Sequence, residues 1–216
     1  MNDDHIEVVP IFPIPVYFAI CKDEIQQCID YMDNAPIDIE KDLETIKEYG
    51  TISKDSYILN RDEMTPLRNW IMHHVDNYAK NVLAWNFKKI DLTMSWVSIK
   101  EKGQRHKYHI HPNSLISGVF YWDEGDIEPI SFLRPRKFNN FEVDRNEDIE
   151  APYAFDHHSF TPRKNTLVLF PSETQHSVGK IKQDLPRKSL AFNTFIFEKI
   201  GRLDSLTELD LSKTSN

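Results

Sequence analysis

The chain has 216 residues, 40% of them hydrophobic, with 34 acidic against 26 basic side chains and a formal charge of −8. That is enough chain for one sizeable core, and the length suits a single all-β domain. The acidic balance and the lack of a Lys/Arg cluster disfavour nucleic acid as the main partner.

The apolar stretch from Val8 to Ile20 is interrupted by Pro10, Pro13 and Pro15. It falls short of the ~20 residues that cross a bilayer, and prolines suit an extended lead-in at a sheet edge. Met1-Asn2-Asp3-Asp4 lacks the basic start of a secretory signal, so a soluble chain with no membrane partner is expected in the cytoplasm. Cys21 and Cys28 then read as reduced packing residues. Asp23 offers an N-cap with Gln26 three residues on, and Ile25, Cys28, Ile29 and Met32 follow at helical spacing.

Residues 34–64 are polar and weakly periodic, and the expectation there is an irregular connection with one short element. Thr65-Pro66 resembles a helix start, a capping hydroxyl followed by proline. Leu67, Trp70, Ile71, His74, Val75, Tyr78 and Val82 keep one inward stripe, predicting the longest helix over 66–84. From Asp91 onward, short β-branched and aromatic runs are separated by Gly, Pro, Asn and Asp. They predict strands at 92–100, 106–111, 117–123, 129–134, 153–157, 165–170, 176–181 and 188–198. Eight short strands after two helices suggest a mainly β fold with flanking helices, a jelly roll of the double-stranded β-helix, cupin-like kind. Residues 1–200 would form that single domain, and 201–216 a polar tail that frays after a last turn around 206–211.

Nine histidines are present. His109 and His111 stand two apart in a predicted strand, so both side chains share a face while Tyr108 and Ile110 point away. Paired neutral imidazoles suit a borderline metal such as Fe(II), Zn(II) or Ni(II). A lone His-x-His is a short pattern that arises by chance. His176 adds weight, because it follows the buried run Leu167–Phe170 and the turn at Pro171-Ser172, which would bring a third ligand from a distant strand. Arg187 and Ser189, eleven and thirteen residues beyond it, share a face of the last long strand. A planar guanidinium beside a hydroxyl suits a carboxylate. Asn193 lies on that same face, and Asn113 follows His111-Pro112 in a turn but could also serve the site. His106 is expected near the pocket mouth, Trp96 and Tyr121 in the core, and His73, His74, His157 and His158 at the surface or in the core.

These residues resemble the 2-oxoglutarate and Fe(II)-dependent oxygenases, within them a subgroup found in bacteria and phages. The resemblance runs in order through Ile11–Tyr17, Ser95-Trp96-Val97, Lys102-Gly103, His109-Ile110-His111-Pro112-Asn113-Ser114, Ser117–Tyr121, Phe170-Pro171-Ser172, His176-Ser177-Val178 and Arg187–Asn193. It implies an Fe(II) enzyme with 2-oxoglutarate as cosubstrate, in a bacterial or phage-infected cell. Metal would be held by His109, His111 and His176, and the cosubstrate by Arg187, Ser189, Asn113 and Asn193. The family's metal motif is His-x-Asp/Glu with a distal His, and His111 occupies the carboxylate position here. Either His111 completes a three-histidine site, which is the expectation, or water or substrate takes that place. The reaction implied is hydroxylation of a protein side chain or small molecule, with release of succinate and CO2. Two rival readings stay open: a cupin-like three-histidine metalloenzyme that does not use 2-oxoglutarate, and a non-catalytic jelly-roll binding protein.

Overall fold

Alternation along the second half of the chain produces two antiparallel sheets that face one another. A computed structural model describes residues 13–38, 42–123, 127–135, 144, 146 and 155–212. Its strands are β1 (Tyr17–Ile20), β2 (Thr51–Ile52), β3 (Ile90–Lys100), β4 (His106–His109), β5 (Ile116–Tyr121), β6 (Ile130–Leu133), β7 (His157–Phe160), β8 (Thr166–Pro171), β9 (His176–Val178) and β10 (Arg187–Ile196). One sheet has the order β1-β8-β5-β10-β3-β2, the other β4-β9-β6-β7, and among the described residues the pairings within both are antiparallel. Two such sheets packed face to face make the jelly roll.

Helices cover the outer face of the larger sheet. The helix α1 (Gln26–Asp33) buries Cys28 and Met32, and α3 (Thr65–Asn77) buries Leu67, Ile71 and Val75, against Val97, Phe120, Leu167, Leu190 and Phe192. A second cluster fills the space between the sheets with Val119, Tyr121, Ile130, Phe132, Val168 and Phe170. β5 sits between both clusters, which is why all six of its residues are buried. Gly118 lies in that strand opposite Phe192, and a Cβ built there would stand 2.2 Å from the Phe192 ring. The strand needs glycine at that position because an aromatic ring crosses it.

Several expectations shift in detail. Asp23 lies too early to cap α1, which begins at Gln26 after buried Ile25 and has no side-chain cap. Thr65 is itself helical, and the turn Asp62–Met64 leads into α3, so the proline serves the first turn and the hydroxyl does not cap. The 66–84 pattern divides into α3 and a π-helical turn at Tyr78–Val82. Within 34–64 there is more order than expected: α2 (Leu43–Tyr49), capped by Asp42 accepting from the Thr45 amide at 2.9 Å, then β2 and two 3-10 turns. The strand expected at 153–157 is displaced to β7, where Phe160 pairs with Ile130 and His157 with Leu133; residues 153 and 154, like 1–12 of the lead-in, lie outside the described set. The segment past residue 200 is tied back rather than frayed over its described part, since β11 (Lys199–Ile200) pairs with β12 (Leu209–Asp210). Both cysteines are buried free thiols, and burial pushes each above the ordinary thiol range. Among the described residues no helix is long and apolar enough to cross a membrane.

Candidate metal centre

Strand pairing brings the histidines together. His109 at the end of β4 is register-paired with His176 at the start of β9, and their ring centres lie 4.3 Å apart. His111 has left the strand, but its amide donates to the Ser172 carbonyl at 2.9 Å, which keeps it beside β9. Its ring lies nearly parallel to that of His176, with Nε2 to Nε2 at 3.2 Å. Candidate ligand atoms of all three lie within 4.8 Å of one another. Tyr108 and Ile110, the alternate residues, are exposed.

The hydrogen bonds behind the rings select their tautomers. His109 Nδ1 lies 2.9 Å from the Lys107 carbonyl and His176 Nδ1 lies 2.9 Å from the Thr174 carbonyl. A carbonyl only accepts, so each Nδ1 carries the proton and each Nε2 presents a lone pair. His111 is hydrogen-bonded by Asn193, whose Oδ1 accepts from Ser117 at 2.9 Å. Ser117 bonds Ser172 at 2.8 Å, and Ser172 bonds Ser114 at 2.7 Å. This polar chain fixes the side of the centre that packs into the core.

Burial keeps the imidazoles neutral. It lowers His176 to about 3 and His111 to about 4, with the charge of His109 adding to each effect, and lowers His109 as well. Neutral imidazole is the ligating form. Two imidazole nitrogens bound to one metal at right angles would stand about 3 Å apart, given metal–nitrogen bonds of about 2.1 Å, so the His111–His176 spacing suits a shared ion. No Asp or Glu among the described residues joins the cluster. His106 stacks on His109 with ring centres 4.0 Å apart and is held down to about 2, first by burial and next by the charge of Lys100.

The expected carboxylate-binding residues lie on the inner face of β10. Arg187 and Ser189 are both buried. Arg187 Nη2 donates to the Tyr121 hydroxyl at 2.9 Å, its Nε donates to the Glu128 carbonyl at 3.0 Å, and its guanidinium lies 4.9 Å from the centre of the Tyr121 ring. Asn193 is inward and serves His111. Asn113 is exposed in the turn after Pro112, with φ of 56°, a left-handed conformation that Asn tolerates better than most residues. The structure therefore brings His109, His111, His176 and Asn193 together and sets Arg187 and Ser189 inside the same jelly roll, but leaves Asn113 on the surface.

The sequence favours the core over the pocket lining for Tyr121; the side chain is indeed buried, and its hydroxyl accepts from Arg187. It also passed over Lys100 and Ser98, which share the inner face of β3 with half-buried Trp96. A lysine in step with inward residues was the available signal. Trp96 lies along His111, with ring centres 6.2 Å apart.

Residues 94–193 match a family model described as "Putative 2OG-Fe(II) oxygenase". Comparison with curated proteins finds no match. Among solved structures, the chain resembles a prolyl-4-hydroxylase of Pseudomonas putida at 14% identity and TM-score 0.53, covering 83% of this chain and 92% of that one. A Trichoplax adhaerens prolyl hydroxylase, solved with a hypoxia inducible factor peptide, is similar at 13% identity and TM-score 0.54, covering 84% and 83%. HygX of Streptomyces hygroscopicus, solved with nickel, 2-oxoglutarate and hygromycin B, is similar at 9% identity and TM-score 0.52, covering 84% and 82%. At these identities the structural likeness concerns the fold.

Proposed function

We propose that the chain is a 2-oxoglutarate-dependent dioxygenase, of the family whose model its residues 94–193 match, and that it holds Fe(II) through His109, His111 and His176. The observation that carries this reading is the set of three neutral imidazoles at metal-sharing distance, two of them with Nδ1 tied to backbone carbonyls so that Nε2 is free. In this reading residues 1–200 are the catalytic domain. With 2-oxoglutarate and O2, iron of this kind supplies an oxidation in which the 2-oxo acid becomes succinate and CO2, one oxygen atom entering succinate and the other a C–H bond of the substrate.

The chain's own residues position and shield that chemistry. Arg187, held by the Tyr121 hydroxyl and the Glu128 carbonyl, offers its remaining N–H groups to the far carboxylate of 2-oxoglutarate, and Ser189 on the same face donates to the same group. Asn193 keeps the His111 ring in place. Phe132, Phe170 and Val168 close the space between the sheets and keep water from the reacting atoms. Molecules bound to the similar proteins include a hypoxia inducible factor peptide fragment and, for HygX, hygromycin B. A protein side chain or a small metabolite is accordingly the class proposed here.

One observation favours a second reading. Among the described residues the cluster holds three histidines and no carboxylate, the ligand pattern of three-histidine metalloenzymes that use no 2-oxoglutarate. Anaerobic addition of Fe(II) and 2-oxoglutarate separates the two. The dioxygenase reading expects a visible charge-transfer band that needs both components; folded, iron-loaded protein with no such band would exclude it.

A further inference from the structure

β4, which carries His109, stands at the edge of the smaller sheet, with β9 as its only strand neighbour among the described residues. Its ladder is irregular between His106 and His109, where Lys107 and Tyr108 together stand against Ser177. The Lys107 carbonyl lies inside that irregular stretch, yet it is the group that fixes the His109 tautomer by accepting from Nδ1. A backbone atom with that task needs support from outside the sheet.

The C-terminal turn of α2 supplies the support. Gln104 Nε2 donates to the Ile46 carbonyl at 2.9 Å, and the Arg105 amide donates to the Glu48 carbonyl at 2.9 Å. The Glu48 carboxylate accepts from Arg105 Nη2 at 2.6 Å and Nε at 3.2 Å, and Lys107 Nζ lies 3.0 Å from the same oxygen. One residue of α2 therefore ties down the neighbours of His106 on both sides. Lys107 Nζ also lies 5.3 Å from the centre of the Tyr49 ring. His106 itself meets Tyr49 edge-on with ring centres 6.3 Å apart, and lies flat on His109 with centres 4.0 Å apart and planes 17° from parallel. Contact thus runs from Tyr49 through His106 to a ring of the histidine cluster. Gly50, with φ of 78°, seats the helix end on β3, because a Cβ there would stand 2.3 Å from the Ile99 carbonyl.

We propose that α2 is a buttress of the metal centre, in which Tyr49 and Glu48 are positioning residues that orient His109 through His106 and Lys107. The proposal rests on ligation by His109 as inferred above. A ring pressed on one face and hydrogen-bonded at Nδ1 keeps Nε2 aimed, whereas a loosened ring must be ordered again each time it binds a metal. Ion pairs as exposed as those of Glu48 add little to stability, so their removal should be felt at the metal rather than in the fold.

The test is anaerobic titration of the metal-free chain with Co(II), without 2-oxoglutarate, followed by ligand-field absorption and set beside the urea midpoint of each variant. His106→Ala is expected to weaken Co(II) about ten- to a hundredfold and to change the band shape. His106→Phe, which keeps a flat ring on His109, should restore most of the loss. Tyr49→Ala should weaken Co(II) about three- to tenfold, with little further loss when added to His106→Ala, because neighbours on one path are not additive. Glu48→Ala should cost about threefold at an unchanged urea midpoint. Unaltered affinity and spectrum in both Tyr49→Ala and His106→Ala would overturn the buttress. Failure of His106→Phe to rescue would overturn it as well, since the stacked ring would then not be what matters, and so would losses that merely follow the urea midpoint. Wild-type protein that takes up no Co(II) would remove the metal centre and the buttress with it. Wild-type protein that binds Co(II) but gives no band with Fe(II) and 2-oxoglutarate would remove only the dioxygenase reading, and the variants would still decide the buttress.

Discussion

The two faces of the β3–β10 ribbon differ as sharply as any two regions of the molecule, although they alternate residue by residue along the same strands. The outer face carries Val97, Leu190 and Phe192, fully buried under the helices. The inner face carries Ser98, Lys100, Arg187, Ser189 and Asn193, polar groups that are buried or half-buried. Apolar burial on one side stabilises enough to tolerate polar groups on the other, where desolvation disfavours the fold. Stability and ligand chemistry are thus divided between odd and even positions of one strand pair.

Breaking the inner side at its metal end should have the largest effect. His176→Ala removes one of the three proposed ligands, and the Fe(II)- and 2-oxoglutarate-dependent visible band is expected to vanish while the protein still unfolds cooperatively. A band of normal intensity in that variant would show that His176 is no ligand. On the outer side, Phe192→Ala should cost about 3–5 kcal/mol in denaturant unfolding, with iron still bound by whatever fraction remains folded. A loss under about 1 kcal/mol would mean that the face across from Gly118 is not the packed surface described.

Acid offers a graded way to stress the inner face of the metal-free protein. His111, at about 4, and His176, at about 3, lie below the ordinary 6.5. As pH falls below 6.5 the unfolded chain takes up protons that the fold refuses, so stability is full above 6.5 and is lost on descending to about 4 for His111 and about 3 for His176. The slope is at most about 1.4 kcal/mol per pH unit for each histidine. Urea midpoints at pH 7 and pH 5 measure it, and equal midpoints would contradict the burial argument; bound metal should flatten the difference.

Ser189→Ala sharpens the comparison further, since a hydroxyl on the ligand face should matter for binding alone. Its expected effect is a threefold to tenfold weaker 2-oxoglutarate affinity, of the order of one ordinary hydrogen bond, at nearly unchanged stability. The smallest effect belongs to the surface turn. Asn113→Gly keeps the left-handed conformation available and should shift stability by no more than about 0.5 kcal/mol, with 2-oxoglutarate affinity unaltered. A clear loss of affinity would show that the Asn113 side chain reaches the cosubstrate after all.

Much of this arrangement is legible in the chain itself. Runs such as Leu167–Phe170 and Ile116–Tyr121 are short, apolar and bounded by turn residues, so their strands follow from local pattern. The shared face of His109 and His111, and of Arg187 and Ser189, follows from the two-residue period of a strand. Where the expectation slipped, a local signal was outweighed. Asp23 has the chemistry of a cap, yet burial of Ile25 starts α1 two residues later, and the polar segment past residue 200 gains order from pairing with Lys199–Ile200.

The sequence by itself determined which side chains alternate to one face and which residue types could ligate a metal or hold a carboxylate, because those properties depend on period and functional group. Only the tertiary structure decided that His109 faces His176, that Lys100 stands opposite Arg187, and that the Tyr121 hydroxyl belongs to that arginine. These are matters of register between strands far apart in the chain. Register is set by how the whole apolar pattern packs and where strands bulge, as β3 and β10 do between Asn193 and Thr194.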